Sequence, residues 1–158
     1  MAIHKIDGVD GVNNFPKKFV TLYCSDSSIT KGQWVALDVA NTENGLGASV
    51  KLAPVGGASN QSGAMCFGIA TETLSAAGNL VVQTAGKFED AYVVNNIAAG
   101  DHLIGPLNGA TAGSADEPTS STFGGPYIGY ALETEGTGTG ESGTALRADV
   151  MIIDQGLF

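Results

Sequence analysis

The feature that most constrains this chain is how its glycines are spaced against its apolar residues. Twenty-three of its 158 residues are glycine, and no window of about twelve residues keeps an i, i+3, i+4 apolar stripe free of them. An amphipathic helix therefore has nowhere to form; at most a short helical turn fits around 59–65. Between the glycines lie short runs at 19–23, 34–39, 48–52, 66–70, 80–84, 91–95, 102–104, 127–132 and 145–153, rich in the residues that suit a pleated surface. Turn formers such as Ser25-Asp26-Ser27-Ser28 and Glu43-Asn44-Gly45 bound them. Regularly spaced short strands with Gly-rich turns predict an all-β protein, a small antiparallel β-barrel or sandwich.

The length suits one domain, which buries roughly 68–70% of the unfolded surface and needs no covalent staple. Residues 1–19 mix isolated apolar residues with Gly, Asn and Pro and carry no helical period. They read as an extended N-terminal arm, with 20–158 as a single β domain. Two stretches, 109–125 (GATAGSADEPTSSTFGG) and 135–143 (EGTGTGESG), hold too little apolar surface to offset the entropy of ordering them, so both read as exposed loops.

One short phrase is spelled twice. FGIATET at 67–73 and IGYALET at 128–134 share Gly, Ala, Glu and Thr at the same four of seven places, 61 residues apart. Ahead of the first copy stands Ile29-Thr30-Lys31-Gly32-Gln33-Trp34-Val35, and ahead of the second Ile97-Ala98-Ala99-Gly100-Asp101-His102-Leu103. Behind them come Gly78-Asn79-Leu80-Val81-Val82 and Gly143-Thr144-Ala145-Leu146-Arg147. The order predicts an internal twofold repeat with halves at about 29–88 and 97–153; the unequal loops cost little, since closure entropy grows only with the logarithm of length. At Gly32, Gly78, Gly100 and Gly143 the chain reverses before a strand, where glycine takes φ > 0 without a Cβ clash. Gly68 and Gly129 sit inside strands, where glycine marks a bulge or a close crossing of backbones. The phrase is thus a corner of the fold, and its Glu a solvated turn residue.

The net charge of −9 is placed unevenly. Up to Lys87 six acids balance six lysines, whereas from Phe88 onward ten acids face only Arg147. Such a field repels phosphate backbones and argues against a nucleic-acid partner; the same acids also serve to keep a Gly-rich chain soluble. No apolar run of about 18 residues is present to span a membrane as a helix. MAIHKIDGVDG lacks the apolar stretch of a secretory signal, and a cytoplasmic start is the simpler expectation. Cys24 and Cys66 are too few for a disulfide framework and lack zinc-ligand spacing, so both read as buried thiols.

Catalytic chemistry finds little to work with. The histidines are His4, in the arm, and His102, which takes the place of Trp34 in the repeat and so reads as a packing residue. Glu133 and Glu135 border a Gly-Thr loop that would hold an acid/base pair poorly. Asp7 to Asn13 suggests a calcium loop, but Val9 and Lys18 stand where an EF-hand needs oxygen ligands; Asp116 and Glu117 form a weaker cation candidate. Gly136 to Gly140 lacks the Lys and helix of a phosphate-binding loop. Trp34, Tyr23, Tyr92, Tyr127 and Tyr130 are spread among strands, not clustered as stacking on sugars or bases requires. The chain reads as non-enzymatic, without catalytic residue, metal or cofactor.

Ile29-x-x-Gly32-x-x-Val35-x-Leu37-Asp38, then Phe67-Gly68-Ile69-Ala70, then Ala76-Ala77-Gly78-x-x-Val81-x-Gln83-x-Ala85-Gly86-Lys87-Phe88 resembles the small capsid decoration, or cement, proteins of tailed bacteriophages. The resemblance covers 29–104, with 77–86 its most specific part; the 109–125 stretch has no place in it, and it carries over no catalytic residue. It implies a non-enzymatic virion structural protein, a β-rich homo-trimer on the outer capsid surface, assembled in the bacterial host cytoplasm. Its partner would be the major capsid protein, whose neighbouring capsomers it would clamp. On that reading Ile3, Ile6, Val9, Val12 and Phe15 contact the capsid, adding the arm to a sheet edge of a shell subunit. The alternative is a phage tail or fibre-associated module, or a surface adhesin, that binds a glycan or host receptor.

Overall fold

The computed structural model describes residues 16–39, 49–55, 66–94, 97–106, 111–118, 127–134 and 146–154. The helical turn at 59–65, the 135–143 loop, Gly143 and the arm residues Ile3, Ile6, Val9, Val12 and Phe15 lie outside them. Eight strands follow in order: β1 (Lys18–Cys24), β2 (Trp34–Leu37), β3 (Ser49–Leu52), β4 (Cys66–Ala70), β5 (Gly78–Val93), β6 (His102–Leu103), β7 (Gly129–Ala131) and β8 (Leu146–Ile152). Among the described residues there is no helix.

The strands pair in the order β1-β3-β2-β4-β5, and β5 returns to β1, so the first five close into a barrel. Four of the contacts are antiparallel, but β1 runs parallel to β3, with Tyr23 opposite Ser49 and Cys24 opposite Val50. This is the small β-barrel expected, and its one parallel contact follows from parity: five strands in a closed ring cannot all alternate in direction. Closure removes the unpaired edges that make open sheets prone to association.

A second ring repeats the first. The later part of β5 pairs with β8, β8 with β7 and β7 with β6. An antiparallel bridge from Ile104 to Asp116 and a parallel bridge from Val93 to Ala115 then close the circle. Ala115 and Asp116 therefore stand where β3 stands in the first barrel, and they reproduce its one parallel contact. Even the hydrogen bonds match: Ser25 N–H donates to the Val50 carbonyl at 3.1 Å, and Val94 N–H to that of Ala115 at 2.9 Å. Ser49 and Ser114, one residue before Val50 and Ala115, are both buried, and neither hydroxyl meets a hydrogen-bond partner among the described residues.

The two interiors correspond residue by residue. Cys24, Ile29, Val35, Val50, Phe67, Ala70, Leu80 and Val82 fill the first barrel. Val93, Ile97, Leu103, Ala115, Ile128, Ala131, Ala148 and Val150 take the same places in the second. With this second core go Trp34, Ala36 and Ile69, from the outward faces of β2 and β4, so the barrels are packed wall to wall. Trp34 is fully buried there, and its indole N–H donates to the Tyr92 carbonyl at 3.1 Å.

The strand β5 belongs to both rings. Its first part, through Ala85, lies against β1; from Gly86, at φ 87°, it lies against β8. The run at 80–84 and residues 91–93 of the next therefore belong to one strand of 16 residues. A bulge between Phe88 and Ala91, with Asp90 at φ 59°, adds one residue relative to β1. Since β5 from Gly86 plays the part of β1, the repeating units run from about 18 to 85 and from 86 to 153, earlier than the 29–88 and 97–153 expected.

Two further expectations change. The last strands match as Leu80 with Ala148 and Val82 with Val150, because these pairs hold equivalent places opposite β1 and the later β5. The sequence alignment of Gly78 with Gly143 was thus three residues out of register, and Gly78 is not among the glycines with positive φ. The middle of the 109–125 stretch is no exposed loop either: Gly113, Ser114 and Ala115 are buried. Gly113 accepts from Trp34 N–H at 2.8 Å and donates to the Ala53 carbonyl at 2.9 Å, which ties the segment to the first barrel.

Candidate binding surfaces

The twice-spelled phrase forms two equivalent corners in which each shared residue does one backbone task. Gly32 and Gly100, at φ 93° and 95°, turn the chain into β2 and β6. Their N–H groups donate to the Ala70 and Ala131 carbonyls at 2.9 and 2.8 Å. The phrase's Thr accepts one residue earlier, Thr73 from Lys31 N–H at 3.0 Å and Thr134 from Ala99 N–H at 3.4 Å. Its Glu accepts from the adjoining strand, Glu72 from Val81 N–H at 3.2 Å and Glu133 from Asp149 N–H at 3.0 Å. Its Gly lets two strands approach: a Cβ on Gly129 would stand 2.5 Å from the Met151 carbonyl oxygen, and one on Gly68 nearer still to that of Gln83. The glutamates are tied to backbone, an arrangement that holds a corner.

Among the described residues no group of three His, Cys, Asp or Glu side chains converges as a metal site. Glu117 is raised above the usual carboxylate range by partial burial and by Asp101 and Asp116 beside it, so it resists taking up negative charge. Burial pushes the Cys66 thiol up to about 12, and raises that of Cys24 as well. Thiols held in the protonated form are poor nucleophiles and poor metal ligands. Glu135 and the Asp7–Asn13 string lie outside the described residues.

His102 is where the two barrels differ most. It holds the place of Trp34, as expected: Trp34 pairs with Ile69 and His102 with Tyr130. Trp34 is buried between the barrels, however, whereas His102 is exposed. The wall that β2 and β4 press against the second barrel has a counterpart in β6 and β7, where His102 and Tyr130 are exposed while Ile104, in the place of Ala36, is buried. On it the His102 ring lies between Tyr127 and Tyr130, with centroids 4.6 and 4.7 Å away. The two tyrosines remain 46% and 39% exposed, among the few large apolar groups so open. The expectation of scattered aromatics is corrected here: cross-strand pairing brings His102 beside Tyr127 and Tyr130, which are distant from it in sequence. The signal was present in the repeat, where His replaces Trp and Tyr replaces Ile at equivalent sites.

A second surface feature is a groove of about 240 Å³ where the barrels meet. Lys17, Phe19, Lys31 and Thr71 line one side and Phe88 and Glu89 the other. Arg147 closes the contact nearby. Its guanidinium lies 3.5 Å from the centre of the Tyr92 ring and donates to the Asp90 and Lys31 carbonyls at 2.6 and 3.2 Å. Lys87 bridges to Asp149 at 2.7 Å, which raises the lysine above its ordinary value.

No family model matches the chain, and no curated protein matches it.

Proposed function

We propose that this protein is a non-enzymatic capsid decoration protein that binds the outer surface of a phage head and holds neighbouring capsomers together. One observation carries the reading. The run with the most specific resemblance, Ala77 to Gly86, lies from Gly78 onward in the strand shared by both barrels, so the residues that resemble the family are those the architecture is built around. The rest is consistent: the glutamates of the repeated phrase are spent on backbone, and β1 begins at Lys18, soon after the segment bearing Ile3, Ile6, Val9, Val12 and Phe15. Lys17 and Lys31 give an otherwise acidic body a cationic notch at the root of that segment. The partner is the major capsid protein, and the protein acts as a homo-trimer on the virion exterior. Many copies make modest contacts sufficient, because a multivalent clamp gains through effective concentration.

The test mixes the protein with undecorated heads and follows co-sedimentation. The full chain is expected to pellet with heads, and a variant lacking residues 1–15 to stay soluble, folded and unbound. Full occupancy by the truncated form refutes the arm's role, and absence of binding by the full chain refutes the capsid reading. A second reading, a tail- or fibre-associated module or adhesin that binds a glycan or receptor, is favoured by the exposed rings of His102, Tyr127 and Tyr130. A glycan array that returns hits lost in Tyr130→Ala would support it.

A further inference from the structure

We infer that the open wall of the second barrel, centred on His102 and Tyr130, docks head to tail on the first barrel of another copy of this chain. The molecule contains its own precedent. In the first barrel the equivalent wall, Trp34 and Ile69, is covered by a barrel of the same design. Trp34 meets the Tyr92 carbonyl and lies against Gly129, while Arg147, stacked on Tyr92, reaches the Lys31 carbonyl. On the first barrel the matching receptor is Tyr23 in the place of Tyr92 and Asn79 in that of Arg147, since Tyr23 pairs with Asn79 as Tyr92 pairs with Arg147. Asn79 is exposed and Tyr23 half-buried, so the receptor is open as well.

The substitutions on the donor wall fit an association between separately folded partners. Trp34 and Ile69 are permanently dry, whereas His102 and Tyr130 are flat rings with polar tips that tolerate water before docking and bury well after it. Charge selects the partner. Two second barrels face to face would oppose halves in which, from Gly86 on, ten acids outnumber Lys87 and Arg147, while a second barrel against a first meets a half with five lysines and six acids. A heterologous contact of this kind closes into a ring or runs on as a filament, depending on the rotation per copy. It needs no capsid, so its failure leaves the decoration reading standing, and the reverse.

Sedimentation velocity of the full chain over a wide concentration range tests it, with Tyr130→Glu on the donor wall and Asn79→Glu on the receptor. The wild type is expected to associate with rising concentration, and each variant to weaken that by at least about tenfold with an unchanged circular dichroism spectrum. An equimolar mixture of the two variants should form dimers and nothing larger, because each keeps one intact face. His102→Glu serves as a second donor variant should Tyr130→Glu misfold. A wild type that stays monomeric at every concentration overturns the inference. So do variants that associate like the wild type, a mixture that yields no dimer, or a glycan that binds the patch while self-association is absent.

Discussion

Gly32→Ala and Gly100→Ala test whether the inter-barrel contact is as tight as its geometry indicates. The two glycines hold nearly the same φ, 93° and 95°, in equivalent turns with equivalent hydrogen bonds. An L-residue in this region costs about 1–2 kcal/mol, and that cost applies to both. Around Gly100 nothing lies within 4 Å of an added Cβ. At Gly32 the same methyl would stand 2.5 Å from an Arg147 guanidinium nitrogen and 2.6 Å from the Asp90 carbonyl oxygen. To admit it, Arg147 must leave its two carbonyl acceptors, hydrogen bonds of a charged donor worth about 1.5–3 kcal/mol, and its place over Tyr92, worth about 0.5–1 kcal/mol. The expected losses are therefore about 1–2 kcal/mol for Gly100→Ala and about 3–6 kcal/mol for Gly32→Ala. At about 2–4 °C per kcal/mol for a chain of this size, the melting points separate clearly. Urea and thermal unfolding followed by the emission of Trp34, the single tryptophan, measure both. In an Arg147→Ala background the Gly32 loss should fall toward that of Gly100 without reaching it, since the Asp90 carbonyl remains. Equal losses in the two single variants would refute the reasoning.

Two other outcomes follow from buried positions. The Cys66 thiol, held at about 12 when folded against 9.0 for an ordinary cysteine, contributes stability that is fully present below pH 9 and is lost as pH rises toward 12. Denaturant titrations should show a fall of about 1.4 kcal/mol per pH unit in that window, and Cys66→Ala should remove this part of the slope. Ala115→Asp places a charge at a fully buried site inside the second barrel and is expected to cost about 3–5 kcal/mol; a melting point unchanged from wild type would return the segment to the status of a surface loop.

Much of this fold is legible in the sequence because strands of alternating burial and Gly-marked turns leave local traces. The run from Cys66 to Ala70 coincides with β4, and the shared phrase predicts two corners that the hydrogen bonds then reproduce. What escapes is structure written in backbone. Ala115 and Asp116 complete the second barrel through two bridges, too few residues to alternate and too small to look apolar. The continuity of β5 escapes because Gly86, Lys87, Glu89 and Asp90 separate the runs at 80–84 and 91–95, whereas a bulge accommodates them within a strand. The register of β8 escapes because the glycine before it was matched to Gly78, although Leu80 and Ala148 differ in size while facing equivalent interiors. For the candidate surface, the replacement of Trp34 and Ile69 by His102 and Tyr130 was visible. That these two rings stay exposed was not, because their burial depends on what lies beside them in space.

The strand that serves both rings gives the molecule a mechanical character. Tension applied across the two barrels travels along one covalent backbone, so separating them means peeling β5 from β1 and from β8, ladders loaded in shear along many hydrogen bonds at once. A body joined by a flexible tether would stretch at the tether first. Here no tether intervenes within β5, whose backbone passes directly from one barrel's ladder to the other's.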